Sequence, residues 1–160
     1  MPDQAPTSWM PRARWDALVR GEGCPLCLDE VAAPDNPFSI LISELPSGYL
    51  RLARDQFVPG YCVLISRWHA REPHELSAPD RAAFFEDMLR AGEAVERAFG
   101  AVKVNYMILG NAIPHLHAHI TPRLYGDAWP GQPANLDGEP LPTTDDEYAQ
   151  RVALIRAALA

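Results

Sequence analysis

Three histidines alternate with apolar residues in one short stretch of this 160-residue sequence. His115, His117 and His119 stand two residues apart and are three of the five histidines in the chain. Side chains of a strand point alternately to its two faces, so a strand over 115–121 places the three imidazoles on one face and the apolar residues between them in the core. Because imidazole titrates near neutral pH, such a face is a candidate site for chemistry.

The residues alone leave three interpretations of this histidine strand open. Imidazoles two residues apart can share a zinc ion. Alternatively, one neutral imidazole attacks a phosphorus atom while its neighbours donate hydrogen bonds to the charged oxygens. That nucleophile needs its second ring nitrogen held by an acceptor, such as a backbone carbonyl, to fix the tautomer. The third interpretation is an exposed histidine-rich strand without a role, which is an unusual use of three titratable groups.

A pair of cysteines, Cys24 and Cys27, is separated by two residues. This spacing is typical of half of a zinc site, and it also occurs in redox dithiols and in pairs of reduced, buried thiols. The third cysteine, Cys62, lies in an apolar run and is interpreted as core packing. An odd number of cysteines argues against a disulfide framework.

Five apolar runs are expected to form the strands that position these residues. The runs cover 38–44, 49–53, 61–66, 102–109 and 115–121. The first two flank a Pro-Ser-Gly turn that is typical of a β-hairpin, and the third is apolar enough to be a central strand. Since a helical segment separates the third run from the fourth, the order predicts an α+β fold with an antiparallel sheet of about five strands.

Three helices are predicted around these strands. A short helix covers 12–20, and one long helix begins after Ser77 and ends at Gly100. The C-terminal helix begins at Thr144, where Glu147 completes a capping box. The apolar face of the long helix is predicted to consist of Phe84, Phe85, Met88, Leu89, Val95 and Phe99.

Composition predicts one globular domain, since the chain is 48% apolar and 22% charged. We expect residues 1–23 to form a flexible or partly helical leader. Residues 24–160 are expected to form a single domain with a C-terminal extension over 126–160. The Pro- and Gly-rich part of that extension, 126–142, is predicted to be an irregular surface segment.

The net charge of −7 makes nucleic acid a poor partner, because sequence-independent binding to phosphates needs a basic surface. No apolar run approaches the ~18 residues of a membrane span. The N-terminus also lacks the apolar region of a secretory signal. These features predict a cytoplasmic protein without a membrane partner.

The segment from Asn105 to Arg123, NYMILGNAIPHLHAHITPR, resembles the signature of the histidine triad (HIT) family. The resemblance continues upstream through Pro59, Gly60 and His69 and covers roughly residues 24–126. It implies a HIT-like fold, and it is similar to bacterial members known as diadenosine polyphosphate hydrolases. The implied activity is hydrolysis at the α-phosphate of a nucleotide conjugate, either a dinucleoside polyphosphate or a nucleoside phosphoramidate.

The resemblance also implies roles for individual residues. His117 is the nucleophile that forms a covalent nucleotidyl-histidine intermediate. His119 contacts the phosphate oxygens and assists the leaving group. Asn105 and Asn111 correspond to polar positions near the same phosphate, so that all four residues belong to one implied catalytic site.

Two further sites and an assembly follow from the resemblance. Phe38 and Ile40 of the first hairpin are implied to sandwich the nucleobase. A structural zinc site of two cysteines and two histidines is implied at Cys24, Cys27, His69 and His115. Such a site would leave no open coordination position for water. Relatives also form homodimers, so a homodimer is expected here.

Two positions depart from the family pattern. Ala112 stands where many relatives carry a serine or threonine that protonates the leaving group, and Tyr61 stands where others carry a histidine. The leaving-group acid is therefore open between Tyr61, His119 and no acid at all. Two alternative functions also remain: a nucleotide-binding module without turnover, and a zinc-dependent hydrolase that uses the histidine strand as its metal site.

Overall fold

An antiparallel sheet of five strands forms the frame of the computed structural model, which describes residues 9–160. The first eight residues of the predicted leader lie outside the described residues. The strands are β1 (Ser39–Leu45), β2 (Gly48–Ala53), β3 (Cys62–Ser66), β4 (Lys103–Met107) and β5 (His117–Arg123). Their order in the sheet is β1-β2-β3-β5-β4, and all neighbouring pairs are antiparallel. The predicted fold class is confirmed.

The helices are α1 (Arg12–Val19), α2 (Ala78–Phe99) and α3 (Asp145–Leu159). Ser77 caps α2 by accepting a hydrogen bond from the backbone N–H of Asp80, and Gly100 ends it in the left-handed conformation. Thr144 and Glu147 form the predicted capping box of α3. Within residues 9–160, no helix combines the length and the hydropathy that a membrane span requires.

Helices α2 and α3 pack on one face of the sheet and enclose the hydrophobic core with it. Leu50, Leu64 and Ala118, which are neighbours across three strands, are fully buried in the same cluster as Phe84 of α2. The predicted apolar face of α2 is wrong at Leu89, which is 52% exposed. A helix turns by about 100° per residue, so Leu89 lies about 140° around the helix from Phe84, outside the buried stripe that Phe84, Ala91 and Val95 form.

The opposite face of the sheet carries His117 and His119. His117 pairs with Ile65 of β3, whereas His119 pairs with Val63 of β3 and Met107 of β4. Directly paired residues share a face, so Arg51, which pairs with Val63, lies on this face too. Its buried guanidinium donates to the carbonyls of Val31 and Ala33, and it thereby holds the segment after the cysteine pair against the sheet.

Two predicted strands have different ends in the structure. The strand predicted over 115–121 begins at His117, because the backbone N–H of His115 bonds to the carbonyl of Ile113 instead of a neighbouring strand. The strand predicted over 102–109 ends at Met107, before the turn at Gly110, whose φ is 69°. The segment 126–142 contains neither helix nor strand, as predicted.

Candidate active site and metal site

The imidazole of His117 is held in one tautomer by the backbone. Its Nδ1 lies 2.6 Å from the carbonyl oxygen of His115. A carbonyl oxygen only accepts hydrogen bonds, so Nδ1 must carry the ring proton and Nε2 must carry the lone pair. The sequence-based expectation that a backbone carbonyl fixes the tautomer is therefore confirmed.

His119 lies beside this ring on the same strand face. The two ring centroids are 5.1 Å apart, and the ring planes meet at 70°. The Nδ1 of His119 lies 2.6 Å from the hydroxyl oxygen of Tyr61. Among residues 9–160, Thr121 Oγ1 is the one buried side-chain polar atom without a partner. Within the same residues, neither Nε2 atom of His117 or His119 has a hydrogen-bond partner, and both rings are partly buried rather than fully buried.

Burial keeps both rings neutral at pH 7. Together with the neighbouring His117, burial lowers the pKa of His119 to about 4. Burial also lowers the pKa of His117, against the opposing effect of the hydrogen bond to the His115 carbonyl. A neutral imidazole with a free Nε2 is the form that can act as a nucleophile.

The side chain of His115 belongs to a different site from the other two histidines. Its Nδ1 lies 3.6 Å from Cys24 Sγ, 3.4 Å from Cys27 Sγ and 3.2 Å from Nδ1 of His69. Cys27 Sγ is 3.2 Å from the same His69 nitrogen. The four ligand atoms all lie within 4.8 Å of one another. The resemblance implied this set of four residues, and the structure brings them together.

The donor geometry of this cluster fits a cation. The Nε2 of His115 lies 2.8 Å from the carbonyl oxygen of Ser66, and the Nε2 of His69 lies 3.0 Å from that of Val19. Both Nε2 atoms therefore carry the ring protons, and two Nδ1 lone pairs face each other beside two sulfur atoms. Tetrahedral zinc would separate two nitrogens by about 3.3 Å and a nitrogen from a sulfur by about 3.6 Å. The observed separations match these values.

The three histidines are thus divided between two sites. Within residues 9–160, the ligand atoms that lie close enough together to hold a metal ion include one from His115 and none from His117 or His119. Both ring nitrogens of His115 are already engaged. The hypothesis of one metal site shared by all three histidines on one strand is therefore wrong, because His115 precedes β5 and its buried ring is directed toward the cysteines.

The two asparagines assigned by resemblance have different environments: Asn105 lies in strand β4 and Asn111 lies in the loop before His115. Asn105 pairs with Thr121 of β5, and its Oδ1 accepts a hydrogen bond from Arg123 at 3.0 Å. It lines a cavity of about 800 Å³ that Met107, the partner of His119, also lines. Asn111 is exposed in the bend that precedes His115.

Of the two residues assigned to the nucleobase, Ile40 lies on the face of the sheet opposite His117 and His119. Phe38 is 82% exposed and precedes β1. Ile40 pairs with Leu52 and packs against the hydrophobic core, which places it on the helix side of the sheet. The face of a strand residue depends on its pairing register, which the sequence did not reveal.

Several contributors to the two sites were missed by reasoning from the sequence. The carbonyls of Val19 and Ser66 fix the tautomers of His69 and His115. Every residue has a backbone carbonyl, so the sequence gives no signal for which carbonyl accepts these hydrogen bonds. The guanidinium of Arg123 bonds to Asp127 and to the carbonyl of Trp129, so it holds the segment after β5.

Comparisons with known proteins agree with this geometry. A histidine triad protein from Sinorhizobium meliloti 1021 has a TM-score of 0.69 and 28% identity, over 74% of this chain and 88% of that one. A histidine triad protein from Marinobacter aquaeolei VT8 has a TM-score of 0.69 and 28% identity, over 82% and 93%. A zinc-bound histidine triad family protein from Mycobacterium smegmatis shares the fold, with a TM-score of 0.58, 20% identity and 91% of each chain covered.

No curated protein sequence matches the chain. Residues 36–125, more than half of the chain, match the family described as HIT domain. This match includes the whole sheet, with His117 and His119. The chain therefore belongs to the HIT domain family.

Proposed function

We propose that the protein is a nucleotide hydrolase that cleaves at the α-phosphate of a nucleotide conjugate, with His117 as the nucleophile. The observation that carries this proposal is the bond between Nδ1 of His117 and the carbonyl of His115, which leaves the lone pair on Nε2, an atom without a hydrogen-bond partner in the described residues. Membership of the HIT family supports a nucleotide-binding or hydrolytic function.

The reaction has two displacements at the same phosphorus atom. First, Nε2 of His117 forms a bond to the α-phosphorus while the bond to the leaving group breaks, and the leaving group keeps the electron pair. Then a water oxygen bonds to phosphorus and loses its proton to solvent, while Nε2 departs with its electron pair. Imidazole is a good nucleophile in the first displacement and a good leaving group in the second, so each step is easier than one direct displacement by water.

The neighbouring polar residues would bind the phosphate. His119 lies 5.1 Å from His117 between ring centroids and is suited to contact the phosphate oxygens. Asn105 and Asn111 would donate side-chain amide hydrogen bonds to the phosphate oxygens. Phe38 and Ile40 of the first hairpin are the proposed nucleobase contacts, and Ile40 would have to leave its place against the hydrophobic core to reach a nucleotide at the histidines.

We also propose that Cys24, Cys27, His69 and His115 hold a structural zinc ion. The matched nitrogen and sulfur separations support this, as does the existence of a zinc-bound structural relative. A bound zinc would supply a crosslink, because four protein ligands leave no position for water. The carbonyl of Val19, at the end of α1, holds His69, so α1 would be tied to the sheet through this site.

The decisive experiment compares the wild type with His117→Ala and with a control, His74→Ala, which removes an exposed histidine. Diadenosine tetraphosphate and an adenosine phosphoramidate are offered to each protein, and quenched reactions are examined for nucleotide bound covalently to protein. We expect hydrolysis and trapped label in the wild type and the control, and neither in His117→Ala. Tight nucleotide binding without turnover in the wild type would instead identify a binding module.

The proposal includes a homodimer in the cytoplasm. Strand β4 is an edge of the sheet. The other edge, β1, is partly covered, because Arg156 donates to the carbonyls of Leu41 and Ile42. Open edges favour pairing with another strand. Sedimentation should therefore give twice 17.7 kDa, and a monomer mass would reject the dimer. A cytoplasmic location suits cysteines that must stay reduced to bind metal.

A further inference from the structure

Tyr61, the residue before β3, contacts the ring of His119 directly. Its hydroxyl oxygen lies 2.6 Å from Nδ1, and the two rings are nearly parallel, with an angle of 14° and centroids 6.0 Å apart. Tyr61 is only 6% exposed. In the part of the chain that the structure describes, the His119 nitrogen is the one hydrogen-bond partner of this hydroxyl.

Only one direction of this hydrogen bond satisfies both groups. If the imidazole donated, the phenolic O–H would be a donor without an acceptor in a buried position, which is unfavourable. Burial also raises the pKa of Tyr61, so the phenol keeps its proton. The phenol therefore donates to Nδ1. A neutral imidazole that accepts at Nδ1 carries its own proton at Nε2.

We propose that Tyr61 is a positioning residue, whose hydroxyl holds His119 in the Nε2–H tautomer and makes this ring a hydrogen-bond donor toward the phosphate. The inference rests on the proposed function, because it gives His119 a role beside the nucleophile His117. The two rings then have opposite tautomers. His117 presents a bare Nε2 that can attack phosphorus, and His119 presents an N–H that can stabilise the charge that develops on oxygen.

The backbone at Tyr61 is held in place by buried contacts. Gln56 is fully buried, and its side-chain amide donates to the carbonyls of Ala53 and Tyr61. The oxygen of the same amide accepts from the backbone N–H of Gly60. Gly60 has a φ of 91°, and a Cβ built on it would lie 2.4 Å from the ring of Phe99. Such support is what a positioning role requires.

The first test measures the tautomer without measuring activity. In ¹⁵N-labelled protein, long-range proton–nitrogen correlations distinguish a protonated from an unprotonated ring nitrogen. We expect the wild type to show a protonated Nε2 on His119 and a protonated Nδ1 on His117. Tyr61→Phe should shift the Nδ1 resonance of His119 and give a mixture of tautomers. Tyr106→Phe, which removes a hydroxyl on the other face of the sheet, should leave the spectrum unchanged.

The second test measures hydrolysis by the same three proteins. Loss of one hydrogen bond should lower kcat of Tyr61→Phe about five- to tenfold, with a change in KM of less than about twofold. Tyr106→Phe should match the wild type. A merely structural role for Tyr61 would not change the tautomer at His119.

The outcomes separate this inference from the proposed function. A protonated Nδ1 on His119 of the wild type, or a Tyr61→Phe protein with the spectrum and kcat of Tyr106→Phe, would overturn the role of Tyr61. A wild type that hydrolyses no nucleotide would refute the proposed function. In that case the nitrogen resonances alone decide whether Tyr61 fixes the tautomer.

Discussion

Two identical side chains on one strand acquire different chemistry because their Nδ1 atoms meet different partners. His117 meets a carbonyl oxygen, which can only accept, while His119 meets a phenol, which can donate. Both rings are neutral at pH 7, since burial lowers their pKa values. The difference between the proposed nucleophile and the proposed donor thus lies in the partners of the two rings rather than in the histidines themselves.

The leaving group should matter strongly for the rate at this site. The proton of Tyr61 is directed at His119, and a neutral His119 with a pKa near 4 is a poor acid. An amine must be protonated to depart, whereas a polyphosphate departs as a stable anion. A positioned acid contributes about 10²- to 10⁴-fold. We therefore expect kcat/KM at pH 7 to be at least about a hundredfold higher for diadenosine tetraphosphate than for adenosine phosphoramidate.

The control for this prediction is the p-nitrophenyl ester of AMP, whose leaving group needs no proton. It should be cleaved at a rate near that of diadenosine tetraphosphate. Equal values of kcat/KM for the ester and the phosphoramidate would show that an acid does serve the departing amine.

His119 should also make the stability of the protein depend on pH. Its pKa is about 4 in the folded protein and about 6.5 in an unfolded chain, so the unfolded state binds more protons between these values. The free energy of unfolding therefore falls as the pH decreases from about 6.5 to about 4, by up to ~1.4 kcal/mol per pH unit for one such group. His119→Gln removes this contribution, and urea unfolding at several pH values should show a shallower decline than in the wild type.

His74→Gln serves as the matched control, because His74 is exposed. Its unfolding free energy should decline in parallel with that of the wild type. If the unfolding free energy of His119→Gln declined with pH as steeply as that of the wild type, the lowered pKa of His119 would be contradicted.

At the scale of elements, the turn before β3 determines where Tyr61 stands. Gly60 combines a positive φ with close contact to Phe99, so alanine there meets both backbone strain and a steric clash. Gly126 has a positive φ of 84°, but nothing lies within 4 Å of its added Cβ. Urea unfolding should show a loss of about 1 kcal/mol for Gly126→Ala and a clearly larger loss for Gly60→Ala. Equal losses would show that the contact with Phe99 is not restrictive.

The elements themselves were largely predictable from the sequence. The caps of α2 and α3 have local signatures, since Ser77, Gly100 and Thr144 act on backbone groups within a few residues. The start of β5 was not predictable, because the alternation of apolar residues continues through His115 while the ladder begins at His117. A strand begins and ends with its hydrogen-bonding partner, so its limits depend on residues that are distant in the sequence.

The sites were predictable in part. The residue types in the metal cluster and the assignment of His117 and His119 follow from motifs that resemble a known family. The contact between Tyr61 and His119 depends on the register of β3 against β5, and the location of Ile40 depends on that of β1 against β2. Registers arise from packing of the whole sheet.

At the scale of the whole molecule, the proposed zinc cluster joins three parts of the chain that are distant in sequence. Cys27, His69 and His115 come from the segment after α1, the turn after β3 and the bend before β5. Removing a structural zinc with a chelator should therefore lower Tm by about 10 °C. Hydrogen exchange should also accelerate in α1, because Val19 is held through His69.

Two serine variants separate a metal effect from a general effect on thiols. Cys27→Ser should have a low Tm that no longer responds to chelator. Cys62→Ser changes a buried thiol outside the cluster, so its Tm should still fall when chelator is added. A wild-type Tm that is insensitive to chelator would contradict the proposal of zinc.

One residue, His115, belongs to both sites at once: its ring enters the cysteine cluster and its carbonyl holds the ring of His117. A saturation mutagenesis screen should therefore score position 115 about as intolerant as position 117, although the ring of His115 faces the cysteines and not the proposed nucleotide site. Replacements that cannot bind a metal keep the carbonyl but lose the side chain that holds it in place. Selection for activity and selection for folding stability would act on the same codon, so a substitution at position 115 would change both sites together.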